Sequence, residues 1–294
     1  MAKITWNGSV SSVWSVAGNW TGGVPGAADD VYFTENAVAV ASYDSSAVTL
    51  NSLNVDASYT GTFGELGTYV KYKATVTNIG LPTTDGVGGG SRRLNLNNAL
   101  TSTAVVNVYG SGNSPLDAGY TPVRLLLTTG SLLNVFGGTV GVALDPSETS
   151  TVATLTTSNN PTVTLGAGVT ITTINAYSGL VINNTVNAVT TASILGNSSY
   201  RWGGTGATTT LNAGKKVTYI GSGTITNLNI YGTGTFDASG GNTAFTVTNA
   251  ICYSGGSVND NNLRVTWTNG VITSGCNLND VTFNLGNSKK VNVS

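Results

Sequence analysis

Asp237 and Asp260, 23 positions apart, are the two carboxylates that this chain could most readily bring together. Paired acids about 5 to 10 Å apart suit glycoside hydrolysis, one protonating the leaving group while the other attacks or activates water. The other acids, among them Asp117, Asp145, Glu148 and Asp280, are scattered along the sequence. A polysaccharide lyase would set a basic residue against a calcium cluster. Arg201 and Arg264 are candidates for that base, but no acidic cluster accompanies them. Metal binding or acid–base work is an alternative role for Asp29 and Asp30, yet no third ligand is near in sequence. Accepting backbone N–H groups in a tight loop explains them more simply. Turn-forming and surface roles explain the remaining acids and arginines, so no catalytic, cofactor-binding or metal-ligating residue is assigned.

The chain has no histidine. That excludes Ser-His-Asp and Cys-His catalysis, His-ligated zinc and histidine general bases. Its two cysteines, Cys252 and Cys276, are 24 residues apart and make neither a disulfide framework nor a zinc site by themselves. The stretch from Gly232 to Asp237 is no phosphate loop, because no Lys-Ser/Thr follows it. It also lacks the regular aspartates of calcium-binding nonapeptide repeats.

The elements that would have to position any site are β-strands. Of 294 residues, 40% are hydrophobic, enough for a continuous core, and only 9% are charged. Thr, Ser, Asn and Gly cover the surface instead; Thr suits a pleated strand, while Asn and Gly tolerate left-handed bends. One Met, three Glu and seven Lys leave little to build helices from. The fold class expected is therefore all-β. Net charge is −1, and Arg92-Arg93, Lys215-Lys216 and Lys289-Lys290 are isolated pairs, so no nucleic-acid surface is expected. No apolar run reaches the roughly 18 residues of a membrane-spanning helix. The first residues carry no apolar export core, so export by an ordinary signal peptide is not expected.

One pattern recurs: apolar, often Asn, apolar, aromatic, then a Gly-containing turn. It reads Leu133-Asn134-Val135-Phe136-Gly137-Gly138, then Ile174-Asn175-Ala176-Tyr177-Ser178-Gly179. It returns as Leu228-Asn229-Ile230-Tyr231-Gly232 and as Ala250-Ile251-Cys252-Tyr253-Ser254-Gly255. Weaker copies lie around Leu155, Ile194, Leu211 and Ile272, giving spacings of 17 to 22 residues. Alternation puts Leu133 and Val135 on one face, and a single coil cannot bury that face without stacked neighbours. The architecture expected is a parallel β-helix, or β-solenoid, with adjacent coils about 4.8 Å apart. Phe136, Tyr177, Tyr231 and Tyr253 are expected to stack at one corner. Cys252 and Cys276 are expected as buried thiols on neighbouring coils, with a disulfide as the alternative that their geometry would have to permit.

Residues 1–85 differ, with Trp6, Trp14 and Trp20 among them, and are read as a Trp-rich N-terminal cap with the first strands; residues 86–294 are read as the coils. Residues 82–93 and 110–122 are expected to be long loops, where partners bind a rigid scaffold. The distinctive line is Trp6-Asn7-Gly8, Trp14, Gly18-Asn19-Trp20-Thr21-Gly22-Gly23-Val24-Pro25, then Asp30-Val31-Tyr32-Phe33. It resembles the opening of β-solenoid surface proteins, both autotransporter-like passenger domains of bacteria and phage-encoded virion proteins. The resemblance covers about 30 residues closely and implies strands and first coils downstream.

The function expected is structural rather than enzymatic: a capsid decoration, cement or head-fibre protein of a tailed phage, located in the virion. Its expected partners are capsid or other virion proteins and copies of itself, as a homotrimer, with a host-surface glycan as a further ligand and no cofactor. A secreted or cell-surface bacterial adhesin module is the alternative, and a polysaccharide-degrading β-helix enzyme the second alternative.

Overall fold

The computed structural model describes residues 1–35, 38–41, 44–65, 67–81, 93–111, 121–276, 280–284 and 291–293. Among these, regular structure is β-strand throughout, apart from one 3-10 turn at Ala17–Asn19. The architecture is all-β and solenoid-like. Contacts divide the chain into two compact units, Met1–Leu144 with Glu148–Ala153, and Asp145–Ser147 with Thr154–Ser294.

In the first unit, Lys3–Trp6 pairs in parallel with Asp30–Phe33, and the series continues through Leu50–Asp56, Ala74–Leu81, Val105–Val108 and Ser131–Val135. Register aligns Val31, Leu53, Thr77, Val106 and Leu133 in one inward column, and Phe33, Val55, Ile79, Val108 and Val135 in a second. All ten are buried. Period-two alternation puts the intervening residue on the other face, and in four successive strands that residue is asparagine: Asn54, which is buried, and Asn78, Asn107 and Asn134, which are half-exposed. A second wall is built from Val70–Tyr72, Leu94–Asn98, Val123–Leu127 and Thr139–Val142 in the same parallel manner.

The Trp-rich segment closes one edge of this unit. Trp20–Thr21 lies antiparallel to Lys3–Trp6 and occupies the side of that strand left free by Asp30–Phe33. Trp20 contacts Trp6, Trp14 and Phe33 at centroid distances of 4.9, 4.7 and 5.7 Å, and Phe33 continues the cluster to Phe63 at 4.6 Å. Indole N–H groups buried this way need acceptors: Trp6 donates to Val38 O and Trp20 to Trp14 O. The fully buried Asn19 holds the entry loop, accepting from Val10 N and Ser11 N and donating to Val13 O.

In the second unit, Val169–Asn183 pairs in parallel with Val189–Trp202, followed by Thr208–Ala213, Ile225–Ile230, Phe245–Cys252 and Val271–Thr273. One inward column runs Ile174, Ala192, Leu211, Leu228, Ala250, Val271; its neighbour runs Ala176, Ile194, Ala213, Ile230, Cys252, Thr273. A large residue in one column meets alanine in the other for three successive strands, which keeps the core filled at constant volume. A second wall aligns Val181, Tyr200, Val217, Phe236 and Val258.

The boundary expected at residue 85 and most of the two expected long loops lie outside the described residues. Parallel pairing is present on both sides of that boundary, since Ala74–Leu81 pairs with Val105–Val108.

Candidate functional site

Strand register decides which candidate side chains meet. Asp237 sits directly beside Asn259, not Asp260. It accepts from Ser239 N and Oγ and from Asn259 Nδ2 at 3.0, 2.6 and 3.1 Å. Asp260 is the next residue and is fully buried. It accepts from Arg264 N at 2.8 Å and from Val265 N and Trp267 Nε1, each at 3.3 Å. The two carboxylates are thus bound into separate hydrogen-bond sets, one half-exposed and one in the interior.

The two candidate arginines also separate. Arg201 is exposed. Arg264 is buried, and its guanidinium donates to the carbonyls of Tyr219, Ala238, Ile220, Gly221 and Thr243 at 2.8 to 3.0 Å. Five carbonyls from three separate segments converge on one fork of donors, so Arg264 ties these segments together. Burial pulls its pKa down, and the nearby Asp260 and Tyr219 push it back up.

Asp29 and Asp30 act as loop acceptors. Asp29 takes hydrogen bonds from Ala2 N and Gly26 N, and Asp30 from Ser52 Oγ and Asn51 Nδ2. The Ser52 and Asn51 bonds hold the Asp30 carboxyl below its ordinary value of 3.8. Glu148 accepts from Arg124 Nη2 through both oxygens at 3.2 Å and from Tyr69 Oη at 2.6 Å. Arg124 in turn lies 5.8 Å from the Tyr69 ring centroid. Sequence reasoning left out Tyr69 and Arg124; the available signal was one arginine inside the apolar run Val123-Arg124-Leu125-Leu126-Leu127. Asp117 lies outside the described residues. Among the described residues no group of three potential metal ligands forms.

A stacked aromatic pair forms at the repeat position in each unit. Tyr231 stacks on Tyr253 at 4.8 Å and 13°, in the second unit. Phe136 stacks on Tyr109 at 5.1 Å and 20°, in the first. Tyr177 is exposed. Tyr109 was not anticipated, although Val106-Asn107-Val108-Tyr109-Gly110 is a full copy of the repeat. Desolvation and the adjoining Tyr253 raise the Tyr231 pKa.

The cysteines are free thiols on neighbouring segments, with Cys276 Sγ 3.9 Å from Cys252 O. Cys252 is buried and Cys276 half-buried. Burial, reinforced by Cys276, pushes the Cys252 pKa up to about 11.

This arrangement spends its carboxylates and its buried guanidiniums on the chain's own loops and strands. Facing outward are asparagine ladders, threonine rows and the edges of two aromatic stacks, beside exposed charges such as Arg201 and the Lys71–Asp44 pair. Comparison with known proteins finds no matching family model, no matching curated protein and no matching solved structure.

Proposed function

We propose that this protein is a structural, non-enzymatic surface protein: a capsid decoration, cement or head-fibre component of a tailed-phage virion, acting as a homotrimer. We further propose that the strand series of each unit winds as a parallel β-helix. The observation that carries the structural reading is the engagement of the candidate acids. Asp29, Asp30, Asp237, Asp260 and Glu148 each accept hydrogen bonds from the protein's own groups. A carboxylate that already holds a loop together is poorly placed to exchange protons with a substrate.

Mass spectrometry of purified particles tests the virion reading. The expected result is the chain at an abundance comparable to other structural proteins; its absence from intact particles would refute the proposal. Sedimentation equilibrium tests the trimer, and a monomer at working concentration would remove that part alone. An experimental density map with coils stacked about 4.8 Å apart would establish the β-helix.

A bacterial surface adhesin module is the second reading. The partly exposed Tyr231–Tyr253 stack favours it, because exposed tyrosine rings suit contact with sugar rings. Fractionation of the producing cell separates the two: cell-surface retention without phage particles supports the adhesin.

A further inference from the structure

The second unit carries an outward array that the proposed function does not use. Thr172, Thr190, Thr209, Thr226, Thr248 and Thr268 fall in one column across six successive segments. The pairs Val189↔Thr208 and Thr191↔Thr210 set Thr190 beside Thr209. The pairs Thr208↔Ile225 and Thr210↔Asn227 set Thr209 beside Thr226, and Ile225↔Val247 with Asn227↔Asn249 set Thr226 beside Thr248. Thr173↔Thr191 brings Thr172 alongside Thr190, and the Asn269–Asn249 side-chain bond brings Thr268 alongside Thr248. Two residues upstream lies a parallel column of Thr170, Ala188, Ala207, Thr224, Thr246 and Thr266, of which Thr246 and Thr266 are directly paired. In the first five segments the residue between the columns points inward, and Ile171, Val189, Thr208, Ile225 and Val247 are all buried; in the sixth it is the half-buried Trp267.

We propose that this two-column face is an ice-binding surface. Its spacings are about 4.8 Å between segments and roughly 6.7 Å between alternate residues of one strand. Both are close to oxygen repeats on the faces of hexagonal ice. Ten of the twelve positions are threonine and the other two alanine, and all are exposed or half-exposed. A threonine offers a hydroxyl that can take a place in an ordered water layer and a methyl group that orders the water beside it. None of these ten hydroxyls makes a side-chain hydrogen bond to the described residues, so all remain available to water.

Further features favour ice over other occupants. The strips 166–192, 205–213, 222–230, 243–252 and 265–271 contain no charged residue, so no strongly hydrated ion interrupts the face. The register runs without a shift from the Thr172 segment to the Thr248 segment; shifts lie between Ala176 and Ser178, beyond the array, and just after Thr248 and Thr268, where the pairing passes from Val247↔Trp267 to Ala250↔Val271. The rim is braced by Asn227, Asn249 and Asn269, linked at 2.9 and 2.7 Å, which keeps the segments at fixed spacing. The twelve positions include no aromatic or large aliphatic side chain, so the anchors that usually seat a second protein copy or a sugar ring are missing from them.

The proposal is independent of the virion reading. The test is growth of single ice crystals and partition into slowly frozen ice, using the full chain. The expected result is arrested, faceted crystal growth with enrichment in the ice fraction. Thr209→Tyr and Thr226→Tyr should abolish both, while Arg201→Tyr, on an exposed site away from the array, should keep both. Circular dichroism melts confirm that each variant is folded. A wild-type protein excluded from ice like serum albumin overturns the proposal, as does full activity in both folded threonine variants. So does a change in oligomeric mass in the variants without ice affinity in the wild type, which would make the face an interface between copies.

Discussion

Arg264 shows how a charged residue can be wholly structural. Its guanidinium satisfies carbonyls of Tyr219, Ala238, Ile220, Gly221 and Thr243 and lies near the buried Asp260. Arg264→Ala would strand these carbonyls and remove the nearest cation from Asp260, which keeps its own bonds from Arg264 N, Val265 N and Trp267 Nε1. At about 1–3 kcal/mol for a buried acceptor left unsatisfied, a clearly lower urea midpoint is expected. Asp30 carries a pH dependence of definite sign. Its bonds from Ser52 and Asn51 depress the folded pKa below 3.8. The folded state then binds fewer protons than the unfolded one across that window. The contribution is complete above the unfolded value and is lost as pH falls through the folded one. Thermal melts taken from about pH 5 downward should show this decline, and Asp30→Asn should flatten it. The sequence marked Asp30 and Arg264 as chemically capable but not what they hold, because their partners lie 21 to 45 residues away.

At the scale of elements, the asparagines are the informative feature. Asn78 donates to Asn54, Asn107 to Asn78 and Asn134 to Asn107, at 2.8, 2.9 and 3.0 Å. Asn78 and Asn107 each both donate and accept, so the bonds polarise one another along the stack. Asn107→Ala removes two of these bonds at once and should cost about 1–3 kcal/mol in chemical denaturation, whereas Asn134→Ala removes only one of them. The central asparagine of each copy was legible in the sequence. Its ladder was not fully legible, because offsets of 24, 29 and 27 residues in the first unit hide copies that read plainly at 17 to 22 in the second. Glycine marks where segments crowd: a Cβ on Gly223 would stand 1.7 Å from the Gly206 carbonyl oxygen. No substituent fits there without forcing the two segments apart.

For the whole molecule, sparse charge has a direct consequence. With 9% charged residues and a sequence pI near 5.3, net charge stays small around mildly acidic pH. Minimum solubility is expected close to that pI and should be visible as a turbidity maximum in a pH series. The composition and the alternation of apolar with Asn or Thr residues determined that the chain is all-β and stacked. Those properties follow from side-chain preference and period-two geometry, both local in sequence. The tertiary structure alone decided the register, and register is a long-range property: shifting one strand by a single residue turns its side chains to the opposite face. It set Asp237 beside Asn259 and not Asp260, joined Glu148 to Arg124 and Tyr69, and aligned six threonines in one exposed column. Turns of unequal length separate these partners, and only the packed core fixes which residues of successive strands face each other.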